Sequence, residues 1–242
     1  MRSFEMTQPV AVITGASRGL GLALAKRFLS EGWRVFGVSR RGSSSFTAEN
    51  FSLHKADLTS EVQVKNFIRR LRAKTKHVEL LINNAGYGGK LSRVEETPAA
   101  EYKKTLDGNL LSCFLMCKHF VPLFRKQERG VIMNISSMAG QCAVPRLAVY
   151  SASKFAVVAL SQAVAKENGD MNLKCITVCP GGMNTEMRAD LFGRENASQQ
   201  QSPEFVAGTI FDVYQNKIEV ESGGDIVIRH GKITAIHPSP EA

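Results

Sequence analysis

A glycine-rich turn lies between a short apolar run and an amphipathic one. Val10 to Thr14 reads VAVIT, Gly15 to Gly21 reads GASRGLG, and the chain continues as LALAKRFLS. A β-branched run that turns directly into a helix opens a βαβ unit, which commits the chain to a parallel sheet with helical crossovers. Turns use glycine for backbone reasons alone. It is the placement between a first strand and its helix that points to a pyrophosphate, because backbone N–H groups and the helix N-terminus then face the same anion. In this reading Gly15 permits the tight turn, Gly19 the close approach and Gly21 the packing of helix on strand. Ser17, Arg18 and Leu20 complete the lining.

The rest of the chain continues the alternation. Strands are predicted at Val10 to Thr14, Arg34 to Val38, Phe51 to His54, Glu79 to Asn83, Gly130 to Ile135, Leu173 to Val178 and Asp225 to Arg229. Helices are predicted between them at Leu20 to Ser30, Glu61 to Thr75, Ala99 to Asp107, Leu110 to Arg125, Ala148 to Glu167 and Pro203 to Tyr214. The expected fold is α/β: a single-domain, doubly wound parallel sheet of the Rossmann type, with about seven strands and helices on both faces. No linker or internal repeat divides residues 1–242. The polar, Gln-rich stretch Gly193 to Ser202 reads as a mobile loop beside the site, inside a substrate loop of about 182–205.

Composition narrows the function classes. No run of about 18 apolar residues occurs, and Met1 to Gln8 lacks the apolar stretch of a secretory signal, so a cytoplasmic protein without a membrane partner is expected. The five cysteines, Cys113, Cys117, Cys142, Cys175 and Cys179, lack partners at metal-ligand spacing and read as reduced core thiols. No metal is expected. The net charge of +9 is scattered, except across Lys65 to Lys76. There Val64, Phe67, Ile68 and Leu71 fall at helical spacing, which leaves Arg69, Arg70 and Arg72 on a solvated face. Nucleic-acid binding is not expected, since no recognition motif accompanies the charge.

Chemistry enters with YSASK at residues 150–154. A separation of four stacks Tyr150 and Lys154 on one helical face. A tyrosine titrates near pH 10, so a nearby ammonium is expected to lower that value and make the hydroxyl a proton-transfer group. The strand GVIMNI delivers Ser136 and Ser137 to the carboxyl edge of the sheet, where a hydroxyl can hold a substrate oxygen beside the tyrosine. Asn83-Asn84-Ala85-Gly86 closes the fourth strand at the same edge with small residues that leave room for a cofactor. Taken singly, each of these is also a polar turn or an ordinary helix pair.

Together they resemble the short-chain dehydrogenase/reductase family, in the form whose turn reads TGxxxGxG. The motifs occur in order over Val10 to Thr185: TGASRGLG, ADL at 56–58, NNAG at 83–86, Asn109, NISS at 134–137, YSASK and PGGMNT at 180–185. The resemblance implies proton transfer by Tyr150 and a Lys154 on the nicotinamide ribose. It also implies a substrate-orienting Ser137 and an Asn109 that holds a relay water. It assigns Asp57 and Leu58 to the adenine, Asn84, Ala85 and Gly86 to the ribose side, and Pro180, Gly181, Met183 and Thr185 to the carboxamide and phosphates. Many relatives end in a turn-rich segment with Asp-Gly-Gly, whereas this chain ends ESGGDIVIRHGKITAIHPSPEA.

Cofactor choice is read at the end of the second strand, Val38-Ser39-Arg40-Arg41. Selection of NAD usually places an acidic residue there to accept from the ribose 2′-hydroxyl. Ser39 followed by Arg40 and Arg41, with Ser17 and Arg18 opposite, suits a 2′-phosphate, so NADP(H) is expected. The leading function is reduction of a ketone or aldehyde, with a carbonyl or alcohol small molecule as substrate. A 3-oxoacyl-carrier-protein substrate would suit the basic Arg125, Lys126 and Arg129. A non-catalytic NADP(H)-binding regulator is the alternative of another class. The stretches Leu110 to Phe124 and Phe155 to Val164 are apolar on more than one face, which predicts a homodimer or homotetramer.

Overall fold

The computed structural model describes residues 8–241, so the expectation for Met1 to Gln8 lies, save for Gln8, outside them. The elements run β1 (Val10–Thr14), α1 (Gly19–Ser30), β2 (Arg34–Ser39), β3 (Phe51–Lys55), α2 (Glu61–Arg72) and β4 (Leu80–Asn83). Next come α3 (Ala99–Leu106), a π-helical turn (Asp107–Leu111), α4 (Ser112–Gln127), β5 (Gly130–Ile135) and α5 (Ala148–Lys166). The chain then forms β6 (Leu173–Pro180), α6 (Glu186–Phe192), α7 (Arg194–Ser198), α8 (Pro203–Tyr214), β7 (Asp225–Arg229) and β8 (Lys232–His237). The strands form one sheet in the order β3-β2-β1-β4-β5-β6-β7-β8. All pairings are parallel except β7 with β8.

Side chains on a strand alternate between faces, and every residue of β1 is buried, so both faces of the sheet must be covered. Ala11 and Ile13 enter one core with Leu24 and Phe28 of α1 and Ile210 and Phe211 of α8. Val10 and Val12 enter the other, with Phe67 and Leu71 of α2 and Phe120 and Phe124 of α4. Phe28 anchors the first core by edge-on contacts with Trp33 and Phe211, both at 5.1 Å between ring centres. Along α2, Val64, Phe67 and Leu71 are buried while Arg69, Arg70 and Arg72 are exposed, as the spacing predicts.

Among the described residues α5 is the one helix long and apolar enough to cross a membrane by length and composition. It packs against β5 and β6, and its buried face carries Ser151, Ser153, Lys154 and Ser161. Four cysteines are buried, but Cys142 is exposed rather than in the core.

The expected doubly wound parallel sheet is present with one strand more, and one loop expectation is corrected. The sheet has eight strands rather than about seven, because the tail KITAIH folds back antiparallel onto β7. His230 and Gly231 both take positive φ, 53° and 68°, which is the tight two-residue turn that matches strand twist. The stretch Gly193 to Ser202 is not an unstructured loop. Gly193 ends α6 at φ 86°, α7 follows at once, and Gln200 donates to the Asn196 carbonyl at 3.0 Å. Gln201 then ties the segment to the C-terminal hairpin, donating to the Ile228 carbonyl at 3.0 Å and accepting from the Gly231 N–H at 3.1 Å.

Candidate active site

The sheet order reverses at β1, which pairs with β2 on one side and β4 on the other. At such a reversal the crossovers leave in opposite directions and a crevice opens at the carboxyl ends of the strands. The Thr14 hydroxyl, at the end of β1, accepts from the N–H groups of Asn84 and Ala85, both at 2.9 Å. The Asn84 amide donates back to the Thr14 carbonyl at 2.9 Å. Gly15 and Gly19 take φ of 69° and 53°, where a side chain would be strained. A Cβ at Gly21 would stand 2.2 Å from the Gly15 carbonyl and 2.5 Å from the Asn84 amide, so only glycine lets α1 sit this close to the turn.

One cleft gathers most of the residues singled out in the sequence. Gly15, Ser17, Arg18, Gly19, Leu20 and Gly21 form one lip. Ser39, Arg40 and Arg41 stand at the end of β2, with Asp57 and Leu58 after β3. Asn84, Ala85, Gly86, Asn109, Tyr150 and Lys154 line its floor, and Met183 and Thr185 the opposite lip. Ser39 is buried and its hydroxyl accepts from the Gly42 N–H at 3.1 Å, while Arg40 and Arg41 are exposed. One Asp57 carboxylate oxygen accepts from the N–H and hydroxyl of Thr59, at 3.0 and 2.8 Å. Ser137, Pro180 and Gly181 fall outside this lining. Pro180 closes β6, and Gly181 donates its N–H to the Ile228 carbonyl at 2.8 Å.

The π-turn places Asn109. Its amide donates to the Tyr87 carbonyl at 3.0 Å and to the Ser153 hydroxyl at 2.9 Å, and its carbonyl oxygen accepts from the Tyr87 N–H at 2.7 Å. It therefore fastens the loop after β4 to α5. Lys154 is buried and donates to the Ile135 carbonyl at 2.9 Å, with its ammonium 5.8 Å from the centre of the Tyr150 ring.

The charge balance corrects one expectation. The Tyr150 pKa is raised rather than lowered, because desolvation by burial outweighs the Ser137 hydroxyl that draws it down. Burial also pushes the Lys154 pKa down, to about 8. At neutral pH Tyr150 therefore keeps its proton.

Several contributors escaped the sequence reading. Glu186 and Met187 line the cleft, and Arg18 forms an ion pair with Glu186 across it. Ser153, inside YSASK, receives Asn109. The cue for Glu186 was its place next to Thr185, whose hydroxyl caps α6 by accepting from the Arg188 N–H. Behind the site Asn83 donates to Asn134 at 2.8 Å, and Asn134 to Ser161 at 2.9 Å. The basic residues Arg125, Lys126 and Arg129 precede β5, at the opposite end of the sheet from the cleft. Arg125 is occupied by Asn168 and the Glu167 carbonyl, so this cluster gives no ground for a carrier protein at the site.

The sequence profile of the family described as short chain dehydrogenase matches residues 9–196. The chain belongs to that family. An NADPH-dependent pterin aldehyde reductase of Arabidopsis thaliana is 31% identical over 224 residues, covering 90% of this chain and 92% of the relative. The crystal structure of a 3-ketoacyl-(acyl-carrier-protein) reductase from Brucella melitensis, complexed with NADH, superposes with a TM-score of 0.84 over 91% of this chain and 96% of its own. At 24% identity it speaks for the fold alone. ElxO with NADP bound gives a TM-score of 0.82 at 26% identity, covering 91% of this short-chain dehydrogenase and 97% of ElxO.

Burial of Lys154 sets a measurable pH dependence. Its folded-state pKa of about 8 lies below the ordinary 10.5, so between these values the unfolded chain holds the extra proton. The penalty for burying the ammonium is complete below the folded value and gone above the unfolded one. Wild-type stability should therefore rise relative to Lys154→Met as pH goes from 8 to 10.5, by about 3 kcal/mol in urea unfolding. Parallel pH profiles for the two proteins would show that the ammonium is not buried at a cost.

Proposed function

We propose that this short-chain dehydrogenase is an NADP(H)-dependent carbonyl reductase with Tyr150 as general acid. The observation that carries the reading is geometric: Tyr150 stands one helical turn from the buried Lys154, whose ammonium lies 5.8 Å from the centre of its ring, in the same cleft as the glycine turn. The cradle suits a dinucleotide: left-handed glycines open the first lip, and the cationic Arg18, Arg40 and Arg41 line the same cleft, which supports a 2′-phosphate as ligand. When bound, the nicotinamide supplies the hydride.

The protein residues do the rest. Tyr150 donates its proton to the carbonyl oxygen as charge develops there. Ser137 holds that oxygen beside the tyrosine, and Lys154 holds the ribose while lying under the ring. Asn109 holds a relay water. Asp57 and Leu58 take the adenine, Asn84 to Gly86 the ribose side, and Pro180 to Thr185 the carboxamide and phosphates. Met187 and Leu191 of α6 pack over Gly88, where a Cβ would meet both at 3.0 Å, so the face that α6 turns to the loop after β4 is apolar. That favours a moderately apolar ketone or aldehyde. A regulator without turnover would not need Tyr150, Lys154, Ser137 and Asn109 together. The cytoplasm is the compartment where such a cofactor pool would serve it.

Tyr150→Phe should lower turnover about a hundred-fold to ten-thousand-fold while NADPH affinity stays nearly constant. Retention of more than about a tenth of the activity, on a carbonyl substrate found by NADPH absorbance, would remove Tyr150 from the chemistry.

For the cofactor, kcat/KM should favour NADPH in the wild type. The Ser39→Asp, Arg40→Leu double variant should move that preference toward NADH by about ten-fold or more. No movement would defeat the assignment of these residues.

Phe114 of α4 and Phe155 of α5 remain 42% and 44% exposed, which a second copy of the chain would cover. Light scattering at micromolar concentration should give a dimer or tetramer, and a monomer mass would reject this.

A further inference from the structure

The ion pair between Arg18 and Glu186 joins the two lips of the cofactor cleft. Arg18 precedes α1 in extended backbone and caps nothing with its side chain, so the guanidinium is free to reach into the cleft. Glu186 opens α6 directly after the capping Thr185, and its carboxylate crosses to Arg18. Both side chains are well exposed, at 48% and 67%, so solvent and an incoming anion can compete for either partner. Ser39, Arg40 and Arg41 line the same cleft.

We propose that Glu186 is a specificity-setting residue, whose carboxylate competes with the cofactor 2′-phosphate for Arg18. The proposal rests on the reading that the cleft takes NADP(H). A guanidinium carries five donors but a single charge. With a carboxylate already against it, Arg18 offers the 2′-phosphate only part of that charge. NADH has a hydroxyl where NADPH has the phosphate, so it does not meet this penalty. Glu186 therefore lowers NADPH affinity selectively, and it stands ready to take Arg18 back as the oxidised cofactor leaves. The pair also spans from the glycine turn to α6, so the exchange is coupled to the segment over the substrate.

The test is a set of equilibrium titrations with NADPH and NADH on wild type, Glu186→Gln, Arg18→Leu and the double variant, with melting curves to verify folding. Glu186→Gln should tighten NADPH about two- to five-fold and leave NADH unchanged, the range an exposed ion pair supports. In the Arg18→Leu background the same substitution should have no effect on the NADPH to NADH ratio. An unchanged ratio in Glu186→Gln, an equal gain without Arg18, or an equal loss for both cofactors would each overturn the competition. A wild type that binds both cofactors equally would overturn the cofactor reading itself, and this proposal with it.

Discussion

Two backbone N–H groups, those of Asn84 and Ala85, converge on the Thr14 hydroxyl at 2.9 Å each, and the Asn84 amide returns a bond to the Thr14 carbonyl. This knot locks the ends of β1 and β4 together at the point where the sheet order reverses. The dependence runs outward from it. With β1 and β4 fixed, the glycine turn is held in shape, because Gly15 and Gly21 leave no space for a Cβ between that turn and Asn84. With the loop after β4 fixed, Tyr87 is in place to exchange bonds with Asn109, and Asn109 in turn reaches Ser153 on the helix that carries Tyr150 and Lys154. The glycine turn and the helix that carries Tyr150 and Lys154 are thus two ends of one hydrogen-bonded chain. The buried line Asn83, Asn134 and Ser161 repeats the tie one layer deeper, joining β4, β5 and α5.

How much of this was legible depended on whether a residue acts through its neighbours in sequence or in space. The glycine turn was legible because strand, turn and helix are consecutive, and Tyr150 and Lys154 because helical spacing alone puts them on one face. Most strands and helices from Val10 to Tyr214 were readable from periodicity for the same reason, but α6 and α7, which lie in a stretch read as a loop, were not. The π-turn was not, since one extra residue in a helical turn leaves the apolar pattern nearly unchanged. β8 was missed because KITAIH is short and half exposed, and its turn uses His230 at positive φ, a residue that does not advertise a hairpin. Glu186 was missed because nothing local links it to Arg18, 168 positions earlier.

The raised Tyr150 pKa shows where reasoning by charge alone fails. Spacing places an ammonium near a phenol, and in water the ammonium would win. In the folded chain Lys154 is buried and Tyr150 half-buried, and desolvation acts on each in the direction of neutrality: up for the tyrosine, down for the lysine. At neutral pH such a pair keeps the tyrosine neutral while the lysine, at about 8, remains mostly an ammonium. The same burial makes the site less stable than an apolar packing of equal volume would be, which is a common property of groups kept for chemistry.

The tail that departs from the usual family ending has a role that follows from its bonds. β8 closes the open edge of the sheet beyond β7, and its turn brings the Gly231 N–H to the Gln201 side chain. Gln201 also holds β7 through the Ile228 carbonyl and accepts the Asn184 N–H at its own carbonyl, one residue before Thr185. A single glutamine therefore links the C-terminal hairpin to the lip of the cleft that carries Thr185 and Glu186. In a parallel sheet that lip is only a loop leaving β6, with no strand beneath it to set its height. Here the hairpin supplies that support, so the polar, Gln-rich stretch is ordered by a segment thirty residues further along the chain.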